Sequence, residues 1–158
     1  MSIGTRSEPV AVRRIVVGVD GSEHALAALR WAASERALRG AELWAVLAWQ
    51  MPPAGLLPLD EEPWRQAAEQ MLRESVTAVF GADPSATVHP LLRYGAAAPT
   101  VLNAAAEFDA DLLVVGSRGH GGVAGLLLGS VSTACVHRAG CPVLVVRPPQ
   151  RSKDRTHE

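Results

Sequence analysis

The sequence predicts an α/β protein, a five-stranded parallel β-sheet with helices packed on both faces. Three observations carry this expectation. Short apolar, β-branched runs alternate with longer segments of helical spacing, in the order strand, helix, strand, helix and so on to a fifth strand. The strands read as continuous apolar runs, as in Ile15-Val16-Val17-Gly18-Val19, which is the pattern of strands buried on both faces. Strands also end in glycine or turn residues and lead on to helix-forming segments, the connection that a layered parallel sheet requires.

Each element has its own local reason. The first strand follows Arg13 and Arg14 and stops at Asp20-Gly21-Ser22, where Ser22 is a residue type that caps a helix. The helix after it carries Leu26, Leu29, Ala33 and Leu38 at helical spacing and ends at Gly40. Residues 43–49 form the second strand. Three prolines and a glycine between 50 and 59 mark a loop, after which Asp60-Glu61-Glu62 place negative charge at the start of a helix that stops at Gly81. Residues 87–94 read as the third strand, and Pro90, which has no N–H for a ladder, assigns that strand to a sheet edge. Pro99 opens a helix through Val101, Leu102, Ala105 and Phe108. Residues 111–116 repeat the apolar strand ending in glycine, and a last helix over 130–138 leads through Gly140 to a fifth strand at 142–147. A single domain over 13–147 is expected, with flexible tails at 1–12 and 148–158.

Composition narrows the function. A chain of 158 residues, 48% hydrophobic and 20% charged, is long enough for one domain with its own core. The net charge of −1 gives no broad basic field for nucleic acid. No apolar run approaches the roughly 20 residues that span a bilayer, and residues 1–14 lack the apolar core of a signal peptide. A cytoplasmic protein with no membrane or nucleic-acid partner is expected. The one lysine, Lys153, lies in the tail, which excludes phosphate loops and Schiff-base chemistry that need a lysine inside the fold. Cys135, His137 and Cys141 form a trio with metal-ligand chemistry. Only two of them share a helix, and Cys141 precedes Pro142 at the start of a strand, so they read as buried thiols and a surface histidine, and no metal site is expected.

The chemistry concentrates between Gly116 and Ser130. Six glycines, Gly116, Gly119, Gly121, Gly122, Gly125 and Gly129, fall within this stretch. Glycine lets peptide N–H groups approach a ligand closely, and a helix beginning near Ser130 presents unpaired N–H groups with a partial positive charge. The loop therefore suits phosphate oxygens, with Arg118 as a charged donor and the Ser130 and Ser132 hydroxyls as further donors to phosphate or partners of a metal ion. A tight strand-to-helix connection uses glycine too, so the loop alone leaves both readings open. His120 sits inside the loop, where its protonated ring would meet a phosphate. His24, His89 and His137 have no partner visible in the sequence and read as packing or surface residues. Trp49 follows Ala48 and is a candidate wall of the same pocket.

The spacing Gly116, two residues, Gly119, nine residues, Gly129-Ser130 resembles the glycine signature of the ATP-binding branch of the universal stress protein family. The resemblance covers nearly the whole chain. Residues 15–22 look like the family's opening strand, residues 111–119 like its fourth, and Gly129-Ser130-Val131-Ser132 with Cys141-Pro142-Val143-Leu144-Val145-Val146 like its close. It implies a Rossmann-like sheet of order 3-2-1-4-5. It also implies an ATP site, with magnesium, in which Gly18 and Asp20 lie beside ribose and adenine and Ala48 gives a backbone contact to adenine. Gly116, Ser117, Arg118, Gly119, His120, Gly121 and Gly122 would surround ribose and phosphates, and Ser130, Val131 and Ser132, after Gly129, would meet the phosphates. A homodimer through the final strand is implied as well. The leading expectation is a regulator that binds ATP in stress response, with no catalytic residue assigned. An ATPase or a phosphoryl- or adenylyl-transfer enzyme using the same loop is the alternative, disfavoured because no lysine and no general base stand at the loop. A dimeric interaction protein without nucleotide is disfavoured by the intact signature, and other nucleotide-binding α/β families, electron-transfer flavoprotein subunits among them, explain the two chain ends less well.

Overall fold

The computed structural model describes residues 11–53, 60–82, 84, 87–121 and 127–149; of the tails expected at 1–12 and 148–158, residues 1–10 and 150–158 lie outside the described residues. Among the described residues nine elements alternate as expected: β1 (Arg14–Gly18), α1 (Glu23–Arg39), β2 (Glu42–Trp49), α2 (Glu62–Phe80), β3 (His89–Tyr94), α3 (Ala97–Glu107), β4 (Leu112–Gly116), α4 (Ser130–Arg138) and β5 (Val143–Val146). All strands are parallel, in the order β3-β2-β1-β4-β5. The order reverses between β1 and β4, because the chain builds outward from β1 to β3 and then returns to the other side of β1.

Side chains divide by the two-residue period of a strand. Ile15 and Val17 on β1, Leu43, Ala45 and Leu47 on β2, and Val114 on β4 pack under α1 and α2, against Ala28, Leu29, Leu72 and Val76. Val16, Val46, Leu113 and Val115 face the other way, against Val101, Ala104 and Ala105 of α3 and Cys135 of α4. Both layers are buried, which is why the strands read as unbroken apolar runs.

Boundaries follow local hydrogen bonds. Ser22 caps α1, its Oγ accepting the Ala25 N–H at 3.2 Å, and Gly40 ends the helix in the left-handed region (φ 63°) with its N–H donated to the Arg36 carbonyl. β3 begins at His89 rather than at 87, because the Thr87 and Val88 N–H groups both turn back to the Pro84 carbonyl (2.8 and 3.1 Å). Pro90 lies on an edge strand that pairs with β2 alone, so its missing N–H breaks no sheet bond. α3 starts at Ala97, two residues before Pro99, which fits in the first turn where a helix needs no N–H. No helix among the described residues is long and apolar enough to cross a membrane.

Asp111 stands just before β4 and staples its start to β1. One carboxylate oxygen accepts the Arg13 and Arg14 N–H groups, both at 2.9 Å, while the Asp111 N–H donates to the Arg14 carbonyl at 2.9 Å. Loss of two bonds to a charged acceptor predicts that Asp111→Ala lowers stability by about 1–3 kcal/mol in urea unfolding. Asp111→Asn, which retains an accepting oxygen, should lose less; equal loss in the two variants would contradict the staple.

Candidate functional site

A cleft of about 390 Å³ opens where the strand order reverses, outside the carboxyl ends of β1, β2 and β4. Open α/β sheets have room for a ligand at this point because the connections from neighbouring strands run to opposite faces and part there. Gly18, Val19 and Asp20 reach it from β1, Ala48 from β2, Val115 and Gly116 from β4, Ala97 and Val101 from α3, and Gly129, Ser130, Val131 and Ser132 from the start of α4. Arg118, Gly119, His120 and Gly121 complete the lining from the connection after β4, with Ala25 and Leu128.

Of the residues singled out in the sequence, Gly18, Asp20, Ala48, Gly116, Arg118, Gly119, His120, Gly121, Gly129, Ser130, Val131 and Ser132 are brought together here. Ser117 is buried behind the wall, 1% exposed, and Gly122 lies outside the described residues. Val19, Ala25, Val115, Ala97, Val101 and Leu128 were not anticipated. Val19 and Val115 were within reach, as neighbours of expected residues at strand ends. Ala97 and Val101 lie one helical turn apart on α3, and only the packing of α3 over the sheet brings that face to the cleft.

Trp49 does not line the cleft. Successive strand residues point to opposite faces, so Ala48 reaches the cleft while Trp49 packs partly buried against the core under α1 and α2 and meets Tyr94 edge-on at 5.0 Å. His24, read in the sequence as having no partner, has one: its Nδ1 is hydrogen-bonded to Ser117 Oγ at 2.8 Å. His89 stacks on Trp44 at 5.3 Å, and His137 is exposed. Cys135 is buried and Cys141 partly so; burial pushes both thiols up from their ordinary range and keeps them protonated. Among the described residues no group of three or more His, Cys, Asp or Glu is arranged to hold a metal ion.

Two features give the cleft a polar end. Asp20 accepts the Ser22 N–H on Oδ1 (2.9 Å), as a turn residue does, and the His120 N–H on Oδ2 (3.3 Å), so it also ties the glycine-rich connection to β1. Across from it α4 begins at Gly129, whose position before the helix carries no side-chain cap, so the first N–H groups of α4 have no partner within the helix. The Ser132 hydroxyl is turned the other way, to the carbonyls of Ser117 (3.1 Å) and Gly129 (3.0 Å), and serves the loop's backbone; Ser130 is exposed at the cleft. The other end is apolar and small-sided, formed by Gly18, Ala48, Ala97, Val101 and Val115. A flat apolar group with a negatively charged arm matches this division.

Comparison with known proteins finds relatives over most of the chain. The model described as "Universal stress protein family" matches residues 11–147. A universal stress protein of Mycolicibacterium smegmatis is 38% identical over 141 residues, covering 84% of this chain and 47% of the relative. The chain spans about half the length of the curated relatives it matches. Among solved structures, a universal stress protein in complex with cAMP superposes with a TM-score of 0.67 at 29% identity, covering 87% of this chain and 98% of the other. The universal stress protein from Archaeoglobus fulgidus in complex with dAMP gives a TM-score of 0.62 at 25% identity, covering 86% and 98%.

Two glycines of the site predict different outcomes. A Cβ at Gly116 would lie 2.6 Å from the His24 carbonyl carbon and 2.9 Å from the Ala25 nitrogen, backbone atoms that no rotamer relieves. Gly116→Ala should therefore lower the urea midpoint of the whole fold. A Cβ at Gly119 would lie 2.5 Å from Asp20 Oδ2, a side-chain atom able to swing away. Gly119→Ala should keep near wild-type stability while shifting the His120 amide resonance, the signature of a lost Asp20 bond; an unchanged resonance would contradict that clasp.

Proposed function

The chain belongs to the universal stress protein family, and we propose that it is a cytoplasmic regulator in stress response that binds ATP with magnesium in the cleft at the strand-order reversal. The observation that carries this reading is the meeting of two anion-binding elements, the glycine-rich connection after β4 and the uncapped start of α4, at one end of a small-sided apolar slot. A single phosphate needs one such element, and two at one end of the cleft favour a longer phosphate chain. Adenine lies between Gly18, Ala48, Ala97 and Val101, ribose beside Asp20, and the phosphates along Gly116, Arg118, Gly119, His120, Gly121 and the N–H groups of Ser130, Val131 and Ser132. Ser117 belongs to the wall behind the phosphates. Magnesium would be held chiefly by the phosphates, with the Ser130 hydroxyl as a protein oxygen beside them, and would offset phosphate charge. Asp20 is the one carboxylate among the described lining residues and already accepts two backbone N–H bonds, which supports binding over general-base catalysis. The free thiols of Cys135 and Cys141 are consistent with a reducing compartment.

The reading includes a homodimer through β5. This strand is a sheet edge of four partly exposed apolar residues. The Leu113 and Ser117 N–H groups donate to the Pro142 and Val146 carbonyls, so by alternation Val143 and Val145 direct their backbone groups away from β4 and offer them to a second chain.

Calorimetry should find magnesium-ATP binding at micromolar dissociation constant, tighter than AMP or cAMP, and Gly119→Ala should weaken it by about tenfold or more. Absence of binding at millimolar ATP would refute the reading; AMP binding as tightly as ATP would limit it to nucleoside monophosphates. Sedimentation should give a dimer for the wild type and a folded monomer for Val145→Pro, which removes an outward N–H where an edge strand tolerates proline. A monomeric wild type would refute the β5 interface.

A further inference from the structure

Ser117 and His24 occupy a position that the nucleotide reading leaves unexplained. Neither side chain lines the cleft, yet they form a 2.8 Å hydrogen bond between elements 93 residues apart in sequence. Ser117 is almost fully buried and every polar group it has is engaged. Its N–H donates to the Val146 carbonyl at 2.8 Å, its carbonyl accepts the Gly129 N–H at 2.7 Å and the Ser132 hydroxyl at 3.1 Å, and its Oγ meets His24 Nδ1. One residue thus joins β4 to β5, to the start of α4 and to the first turn of α1. The His24 end is equally constrained, because the His24–Ala25 backbone lies directly against Gly116, where even a methyl group has no room.

We propose that His24 is a positioning residue for the phosphate end of the site, acting through Ser117. The reasoning follows the bonds outward. Ser117 is followed by Arg118 and Gly119, which line the cleft, and its carbonyl anchors Gly129, the residue before the first free N–H groups of α4. With the Oγ held by the imidazole, the Ser117 peptide keeps one orientation, and the connection and the helix start are set at a fixed separation across the cleft. Without that hold the Ser117 hydroxyl is a buried donor in search of another acceptor, and the carbonyls of its own connection are the nearest ones. The slot formed by Gly18, Ala48 and Val101 lies on other elements and receives none of these bonds. His24 therefore governs affinity for phosphates and leaves affinity for the nucleoside unchanged, a specificity role that rests on the nucleotide reading above.

The test compares magnesium-ATP with adenosine by calorimetry in the full chain, alongside amide hydrogen exchange at Gly129. His24→Leu removes the nitrogen at similar bulk, and His24→Asn places an amide close to where Nδ1 lies. For His24→Leu we expect ATP affinity to fall by about tenfold, adenosine affinity to hold within about twofold, and Gly129 exchange to rise by a comparable factor. His24→Asn should recover most of each loss, which a role in bulk packing would not produce. Ser117→Ala removes only the hydroxyl oxygen, should reproduce the ATP-selective loss, and serves if His24→Leu fails to fold. Equal losses for ATP and adenosine, or a folded His24→Leu with wild-type ATP affinity, would overturn the proposal while leaving the nucleotide site standing. A wild type that binds neither ligand overturns the nucleotide reading itself, and the phosphate role of His24 with it.

Discussion

The cleft depends on how the chain leaves β4. At Gly116 the backbone passes so close to the first turn of α1 that a Cβ would overlap its peptide atoms, and one residue later Ser117 engages its N–H, carbonyl and hydroxyl with β5, α4 and α1. A buried polar residue is tolerable only when its groups are paired, and here each pairing fixes a different element. The same demand that stabilises Ser117 therefore sets the distance between the glycine-rich connection and the helix start. Asp20 repeats the arrangement from the other side, with one oxygen on its own turn and the other on the His120 N–H.

The chemistry of the cleft follows from where large side chains are missing. Gly18, Ala48 and Ala97 leave an apolar slot, bounded by Val101 and Val115, whose own packing belongs to the core under α3 and α4. The slot is a continuation of the core opened to solvent at the point where the connections from β1 and β4 part to opposite faces. At its far end the backbone supplies the polar groups. N–H groups of a helix start and a glycine connection are fixed by the fold and carry no side-chain entropy to lose when they meet an anion, unlike a lysine. This explains how a phosphate-binding role is compatible with a chain whose single lysine lies at position 153.

The proposed binding site and the proposed dimer edge share one element. β5 receives the Ser117 and Leu113 N–H groups on its inner edge, and Arg147 just beyond it donates to the Leu127 carbonyl at 3.4 Å beside the cleft. Its outer edge, of an apolar strand, pairs with no other strand among the described residues. In the proposed reading, a ligand at the start of α4 would act through Ser117 on the same strand that a second chain would join, a physical route by which occupancy and association would be linked.

Much of this was legible in the sequence because it depends on local rules. Strand and helix order follows from apolar runs and turn residues, Ser22 and Gly40 mark the limits of α1 through capping chemistry, and Pro90 assigns β3 to an edge because a proline cannot serve a central strand. Twelve of the fourteen residues implied by the family resemblance line one cleft, at the carboxyl ends of parallel strands where the order reverses. Tertiary structure decided the rest. Ala97 and Val101 reach the cleft only because α3 crosses the sheet above it, and Trp49 is excluded because alternate strand residues face opposite layers. His24 pairs with Ser117, and Ser132 turns to backbone carbonyls, because packing brings together groups that no sequence separation relates. Local propensity records what a residue does along the chain; which groups satisfy one another across it is set when burial removes water as the alternative partner.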